Sequence, residues 1–259
     1  MDRIRLFATP LELGGALAAD IASRIAAKPG GFLLGCPGGR SPAPVYAALA
    51  RIAAARRLDL SSLVIVMMDD YVEAVDGGYD HVSGAAHFSC RRFARDDIQA
   101  VLNAGLPPAH RITGAHVWFP DPAAPQAYEE RLRAAGGIDF FILACGAGDG
   151  HVAFNPAGSA AASLTRIVRL AEQTRIDNLQ TFPGFADLAA VPRFGVTVGI
   201  ATITQHARSV AMVVWGDGKR LAYQRLSRAT SYDPAWPATV WAACSDATLY
   251  ADQAAAKGP

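Results

Sequence analysis

Phe140-Phe141-Ile142-Leu143-Ala144-Cys145 runs directly into Gly146-Ala147-Gly148-Asp149-Gly150-His151. The first six residues form an unbroken apolar run of strand length, which reads as a strand buried on both faces. The next six read as the loop that leaves it. The same grammar recurs along the chain. Phe32-Leu33-Leu34 leads to Pro37-Gly38-Gly39-Arg40-Ser41-Pro42, and Leu63–Met68 leads to Asp69-Asp70-Tyr71. Further strands are expected at Ile167–Leu170, Gly195–Val198, Val210–Trp215 and Thr239–Ala243.

Helix signals lie between these runs. Thr9-Pro10-Leu11-Glu12 has the form of a capping box with proline at the first helical position. It opens a helix to about Ala27, stopped by Lys28-Pro29-Gly30-Gly31. Helices are expected from Ala43 to Arg56, near Phe88 to Phe93, from Asp121-Pro122 to Gly136-Gly137, and from Lys219 to Leu226. The glycine-rich polar stretch from Asp69 to about Ala86 reads as a loop, and Ala251–Pro259 as a frayed tail. Alternation of this kind favours an α/β fold. The expectation is one domain over residues 1–259, built on a single open, mostly parallel, Rossmann-like sheet with helices on both faces.

The chain has 259 residues, 51% of them hydrophobic, and a formal net charge of +1. A near-neutral chain lacks the basic stripe of a nucleic-acid binder. No apolar run reaches the roughly 18–20 residues of a membrane span, and the N-terminal apolar stretch is too short for a signal peptide. The partner expected is a small molecule, with no nucleic acid and no membrane. Cys36, Cys90, Cys145 and Cys244 form no C-x-x-C pair, which argues against a zinc ribbon or dithiol motif. They read as reduced core cysteines in a reducing, cytoplasmic compartment.

Chemistry is expected where strands end, because ligands of open α/β sheets bind there. Gly38-Gly39-Arg40-Ser41-Pro42 is either a tight strand-to-helix turn or an anion cradle. In the second reading, glycine amides and a helix N-terminus meet a phosphate, Ser41 caps the helix and donates, and Arg40 adds charge. Asp69 and Asp70 are either turn-forming carboxylates or a base raised in pKa at the low-dielectric sheet edge. In Asp149-Gly150-His151 the histidine titrates near neutrality, and the carboxylate can fix its tautomer. Lys219, in Gly216-Asp217-Gly218-Lys219, is either a solvated lysine or a phosphate partner. The remaining histidines make no i, i+4 pair, so a metal site has weak support. Of these, His81 and His87 lie in the loop after Asp69-Asp70 and are the ones expected to approach the site.

Taken in this order, the four elements resemble the glucosamine-6-phosphate deaminase / 6-phosphogluconolactonase superfamily, from about Phe32 to Asp246. Asp69-Asp70-Tyr71-Val72 resembles the deaminase Asp-Glu-Tyr-Val, and the lactonase Asp-Glu-Arg is absent. Asp149-Gly150-His151-Val152-Ala153-Phe154-Asn155 resembles Asp-Gly-His-Ile-Ala-Phe-Asn. Val196-Thr197-Val198-Gly199 resembles Leu-Thr-Val-Gly. Gly38-Gly39-Arg40-Ser41-Pro42 leans toward the lactonase loop.

The resemblance implies that His151, oriented by Asp149, opens the sugar ring, and that Asp69 moves a proton between C2 and C1. It implies that Gly38, Gly39, Ser41 and Lys219 hold the phosphate, with Asp70 and Arg40 among the substrate-binding residues. No cofactor is needed, because side chains alone carry such a proton shuttle. A homo-oligomer is an expectation of the resemblance; the residues carry no interface signal of their own. Three positions depart from the deaminase pattern. Pro156 stands where a glutamate follows the asparagine, Gln180 stands at the phosphate-clamping arginine, and Cys244 stands at a late histidine. Either Arg40 or Arg175 then holds a shifted phosphate, or the sugar is a different one. Two alternatives remain open: lactone hydrolysis with His151 activating water, and a catalytically weak sugar-phosphate binder.

Overall fold

The computed structural model describes residues 3–257, with Gln180 described by its backbone alone. The strands are β1 (Ile4–Phe7), β2 (Phe32–Cys36), β3 (Leu63–Met67), β4 (Asp69–Val75), β5 (Gly78–His81), β6 (Val117–Trp118), β7 (Phe140–Ala144), β8 (Arg166–Arg169), β9 (Phe194–Thr197), β10 (Val210–Val214) and β11 (Ala247–Asp252). Seven of them form one open sheet in the order β1-β11-β10-β7-β2-β3-β6, parallel throughout.

The apolar runs have a direct physical reading. Successive side chains of a strand point to opposite faces. In β3, Leu63, Ile65 and Met67 enter the core under the helices Pro10–Ala27 and Ala43–Arg56. Val64 and Val66 enter the opposite core, with Tyr128 and Leu132 of the helix Gln126–Ala134 and Ala222 and Leu226 of the helix Arg220–Ser227. Both faces are covered, so every position of β2, β3 and β10 is buried. Gly35 of β2 lies opposite Phe141 of β7, and a Cβ there would sit 2.0 Å from the Phe141 ring. Glycine is what lets that ring lie across the strand.

After β2 the chain moves to β3, on one side; the next strand of this sheet after β7 is β10, on the other. The loops leaving β2 and β7 therefore diverge, and a crevice opens at their carboxyl ends.

Several expectations need correction. The segment after Asp69 is not a loop. It forms the hairpin β4–β5, and β4 joins a second, antiparallel sheet of order β5-β4-β9-β8. Its polar composition hid it, because ladder bonds come from the backbone and its buried Asp70 is paired (below). The helix Glu172–Thr181 and the edge strand β1 carried no expectation. Thr239–Ala243 is not a strand: a 3-10 turn, Pro237–Thr239, opens the short helix Val240–Ala243. A four-residue apolar run does not distinguish buried helix from strand by periodicity. The last strand is β11, so Ala251 and Asp252 are not frayed; the Asp252 carboxylate accepts from Ala255 N at 2.8 Å and caps the helix Gln253–Ala256. The end of the expected tail, Gly258 and Pro259, lies outside the described residues. Thr9 caps the first helix by accepting from Glu12 N, while the Glu12 carboxylate reaches Ala8 N. No helix among the described residues is long and apolar enough to cross a membrane.

Candidate active site

A cleft of about 480 Å³ occupies the crevice. Gly38, Gly39, Arg40 and Ser41 line it from the loop after β2, Asp69 from the start of β4, His151 from the loop after β7, and Lys219 from the turn after β10. Four distant stretches of sequence thus meet in one cavity.

Asp69 follows Met68, the single residue between β3 of the parallel sheet and β4 of the antiparallel one. It is 6% exposed. Burial, and next the negative charge of Asp70, push its carboxyl up to about 7; the Cys90 thiol and the charge of His151 pull the other way. A carboxyl in that range exchanges protons at neutral pH.

Asp70, expected to bind substrate, points away from the cleft, as alternation along a strand requires. It is fully buried. One oxygen accepts from Tyr71 N at 2.9 Å and Cys90 N at 3.0 Å. The other faces His81 Nδ1 at 2.9 Å and Arg91 Nε at 3.3 Å. Its surroundings make it a structural anchor.

His151 Nδ1 lies 2.7 Å from Asp149 Oδ1. Thr174 donates to Asp149 Oδ2 at 3.2 Å and lies 3.2 Å from the same ring nitrogen. Burial by itself would raise the Asp149 carboxyl, but the hydrogen bond and charge of His151 outweigh it and hold the group below its ordinary value. The loop closes tightly, with Gly146 N donating to His151 O at 2.8 Å. Gly150 adopts φ +66°, and a Cβ there would lie 2.3 Å from the Trp236 ring. No other residue fits that turn without displacing the indole.

The Lys219 ammonium donates to Cys145 O, so it bridges the β7 and β10 loops. Burial lowers its pKa. Ser41 does not cap the helix after it, because Pro42 occupies that position without a side-chain bond. Instead its carbonyl accepts from Trp215 Nε1 at 2.8 Å. Arg40 lines the cleft and is exposed.

Of the departures from the deaminase pattern, Pro156 does not line the cleft, and its carbonyl accepts from Ser159 Oγ at 2.8 Å. Cys244 is buried against Val240 O. The Gln180 side chain lies outside the described residues. The Arg175 guanidinium is committed to the carbonyls of Leu188 and Val191, leaving Arg40 as the arginine that lines the cleft. His81 binds Asp70 and His87 packs on Phe88 and Phe185; neither lines the cavity.

Sequence reasoning missed Cys90, Asp177 and Asn178, which line the cleft, and Thr174 behind His151. They come from the helices Cys90–Phe93 and Glu172–Thr181, which fold over the strand ends. No motif spacing marked them.

A doubly wound sheet with a buried carboxyl, a carboxylate-oriented imidazole and a lysine in one crevice defines a class of α/β enzymes. The family described as glucosamine-6-phosphate isomerases/6-phosphogluconolactonase matches residues 8–250, and the chain belongs to it, as a deaminase/isomerase-like enzyme. A glucosamine-6-phosphate deaminase of Arthrobacter sp. (strain FB24) is 37% identical over 208 residues, covering 80% of this chain and 74% of that protein. A glucosamine-6-phosphate isomerase of Candida albicans is 29% identical over 257 residues, covering 98% and 97%. Among solved structures, a monomeric glucosamine-6-phosphate deaminase superposes with a TM-score of 0.84 at 25% identity, covering 98% of each chain. A 6-phosphogluconolactonase from Leishmania guyanensis superposes at 0.70 and 17% identity, covering 100% and 98%, a likeness of fold.

Proposed function

We propose that this protein is a sugar-phosphate isomerase/deaminase acting on a phosphorylated amino sugar, with glucosamine 6-phosphate the first substrate to test. The observation that carries the reading is the shared cleft, in which Asp69, His151 and Lys219 line one cavity.

The chemistry follows from the environments. Asp149 holds Nδ1 of His151, which leaves Nε2 to accept the C1 hydroxyl proton as the C1–O5 bond breaks. The imidazolium so formed gives that proton to O5, and an open-chain aldehyde forms. Asp69, as carboxylate, then takes the C2 proton, the electron pair forms C1=C2, and O1 takes a proton from the C2 ammonium, giving an enolamine. The same carboxyl, having exchanged part of its protons with solvent, protonates C1 and leaves an iminium at C2. Water adds there and ammonia leaves. A carboxyl near neutrality is suited to both halves of that transfer. Lys219 and Arg40 supply positive charge for the phosphate, and the Gly38–Ser41 loop supplies its backbone and hydroxyl. The four free, buried cysteines fit a reducing, cytoplasmic setting.

A second reading is favoured by one specific position: Pro156 stands where the deaminase pattern has a glutamate, and it does not line the cleft. Under it, His151 activates water against a sugar lactone, and Asp69 is idle. Incubation with glucosamine 6-phosphate in deuterium oxide separates the two. Ammonia and fructose 6-phosphate, with deuterium at C1, support the isomerase/deaminase reading. Hydrolysis of 6-phosphogluconolactone alone, unaffected by Asp69→Asn, would overturn it. Ligand-dependent thermal stabilisation with no turnover of either compound would identify a binding protein.

A further inference from the structure

Asp69 has one hydrogen-bond donor among the described residues, and it is a thiol. Cys90 Sγ lies 3.6 Å from Asp69 Oδ1, and both groups line the cleft. The thiol is held in place from behind. Cys90 N donates to Asp70 Oδ1 at 3.0 Å, and Ser89 Oγ caps the same helical turn by accepting from Arg91 N at 3.2 Å. Asp70 is fixed in turn by His81 and Arg91. The buried carboxylate that sits outside the cleft therefore aims a donor at the carboxylate inside it.

We propose that Cys90 is a positioning residue for the proton shuttle: its S–H orients Asp69 and tunes how tightly that carboxyl holds its proton. The inference rests on the reading of Asp69 as the shuttle base. A thiol is a weak donor, so it steadies Oδ1 without quenching basicity, and it leaves Oδ2 for substrate. Burial keeps the thiol protonated, with the charges of Asp69 and Asp70 adding to the effect; a neutral S–H is the form that donates. The other titratable groups around Asp69 are Asp70 and Tyr71 on its own strand, His151 from the β7 loop, and Tyr128, whose hydroxyl is committed to Met67 O and Trp118 O. None of these donates to Asp69; the Cys90 thiol also lies beside the Asp70 carboxylate, and the infrared difference against Asp69→Asn separates the two carboxyls.

The test compares wild type with Cys90→Ser, which keeps the shape and strengthens the donor, and Cys90→Val, which keeps bulk and removes it. Two readouts are taken from about pH 5 to about pH 9: kcat/KM for ammonia release from glucosamine 6-phosphate, and the infrared titration of the Asp69 carboxyl, identified by difference against Asp69→Asn. A donor to the charged form lowers a carboxyl pKa. The midpoint is expected to fall by about half a pH unit or more in Cys90→Ser and to rise in Cys90→Val, in both readouts. Identical infrared midpoints in wild type and Cys90→Ser, with both folded, would overturn the inference, as would a shift of both variants in one direction. Ordered infrared midpoints without turnover of the sugar would sink the functional reading and leave the hold of the thiol on Asp69 standing.

Discussion

Asp69 lies opposite Thr197 in the antiparallel β4–β9 ladder, and Thr197 Oγ1 accepts the backbone N–H of Phe154 at 3.1 Å. Asn155 Nδ2 adds a bond to Val198 O at 2.8 Å. β9 and the residue after it, Val198, thus grip the shuttle carboxyl's strand through the ladder and the His151 segment through these two bonds. Relative placement of the two groups depends on that shared strand. Thr197→Val keeps the shape but orphans the Phe154 N–H, a buried donor. The expected cost is about 1–3 kcal/mol of stability, with kcat reduced more than KM; chemical denaturation and steady-state kinetics check both.

Asp149→Asn is expected to lower kcat by roughly 10²–10⁴-fold with little change in KM. An amide cannot fix the Nδ1–H tautomer as the carboxylate does, and ring opening then lacks a correctly protonated imidazole. The measurement is kcat against KM for the sugar phosphate. A kcat within a few fold of wild type would contradict the assigned geometry.

Asp69→Asn is expected to abolish deuterium exchange at C1 and C2 while leaving substrate binding measurable. It also carries a stability prediction. The folded carboxyl is raised from 3.8 to about 7, so the native state holds a proton that the unfolded chain has already released. That contribution is fully present below the unfolded value and is lost as pH rises through the folded one. The melting temperature of Asp69→Asn relative to wild type should therefore climb across this window and favour the variant above about pH 7. Melting curves at acidic and mildly alkaline pH give the sign directly.

Lys219→Met is expected to raise KM for a phosphorylated substrate by about 10–100-fold, the loss of one charge-assisted hydrogen bond. Arg40→Ala should act in the same direction and less strongly, because Arg40 is exposed and solvent screens its charge. Inhibition by inorganic phosphate should weaken in parallel.

Asp70→Ala is expected to cost roughly 2–4 kcal/mol of folding stability, because it leaves Cys90 N and His81 without their acceptor and Arg91 without its counter-charge. Denaturant midpoints measure it. Direct loss of substrate affinity in a folded Asp70→Asn variant would return that residue to the cleft.

The parallel core and the four loops that carry the chemistry are legible in the order of residues. Leu63–Met67 and Phe140–Ala144 could be read because a strand covered on both faces must be apolar at every position, whatever its neighbours. Asp149, Gly150 and His151 could be read because the chemistry of that pair is local, within three consecutive residues. Which of the adjacent carboxylates faces the cavity is settled only by packing in three dimensions: the pleat sends Asp69 inward and Asp70 to His81 and Arg91, and composition is silent on that choice. Of the second sheet, β8 and β9 are legible at Ile167–Leu170 and Gly195–Val198, but the hairpin β4–β5 belongs to the category settled by packing, since its backbone bonds leave little trace in polar residues. So do Cys90, Thr174 and Asp177, which acquire a role only from the groups that long-range folding sets beside them.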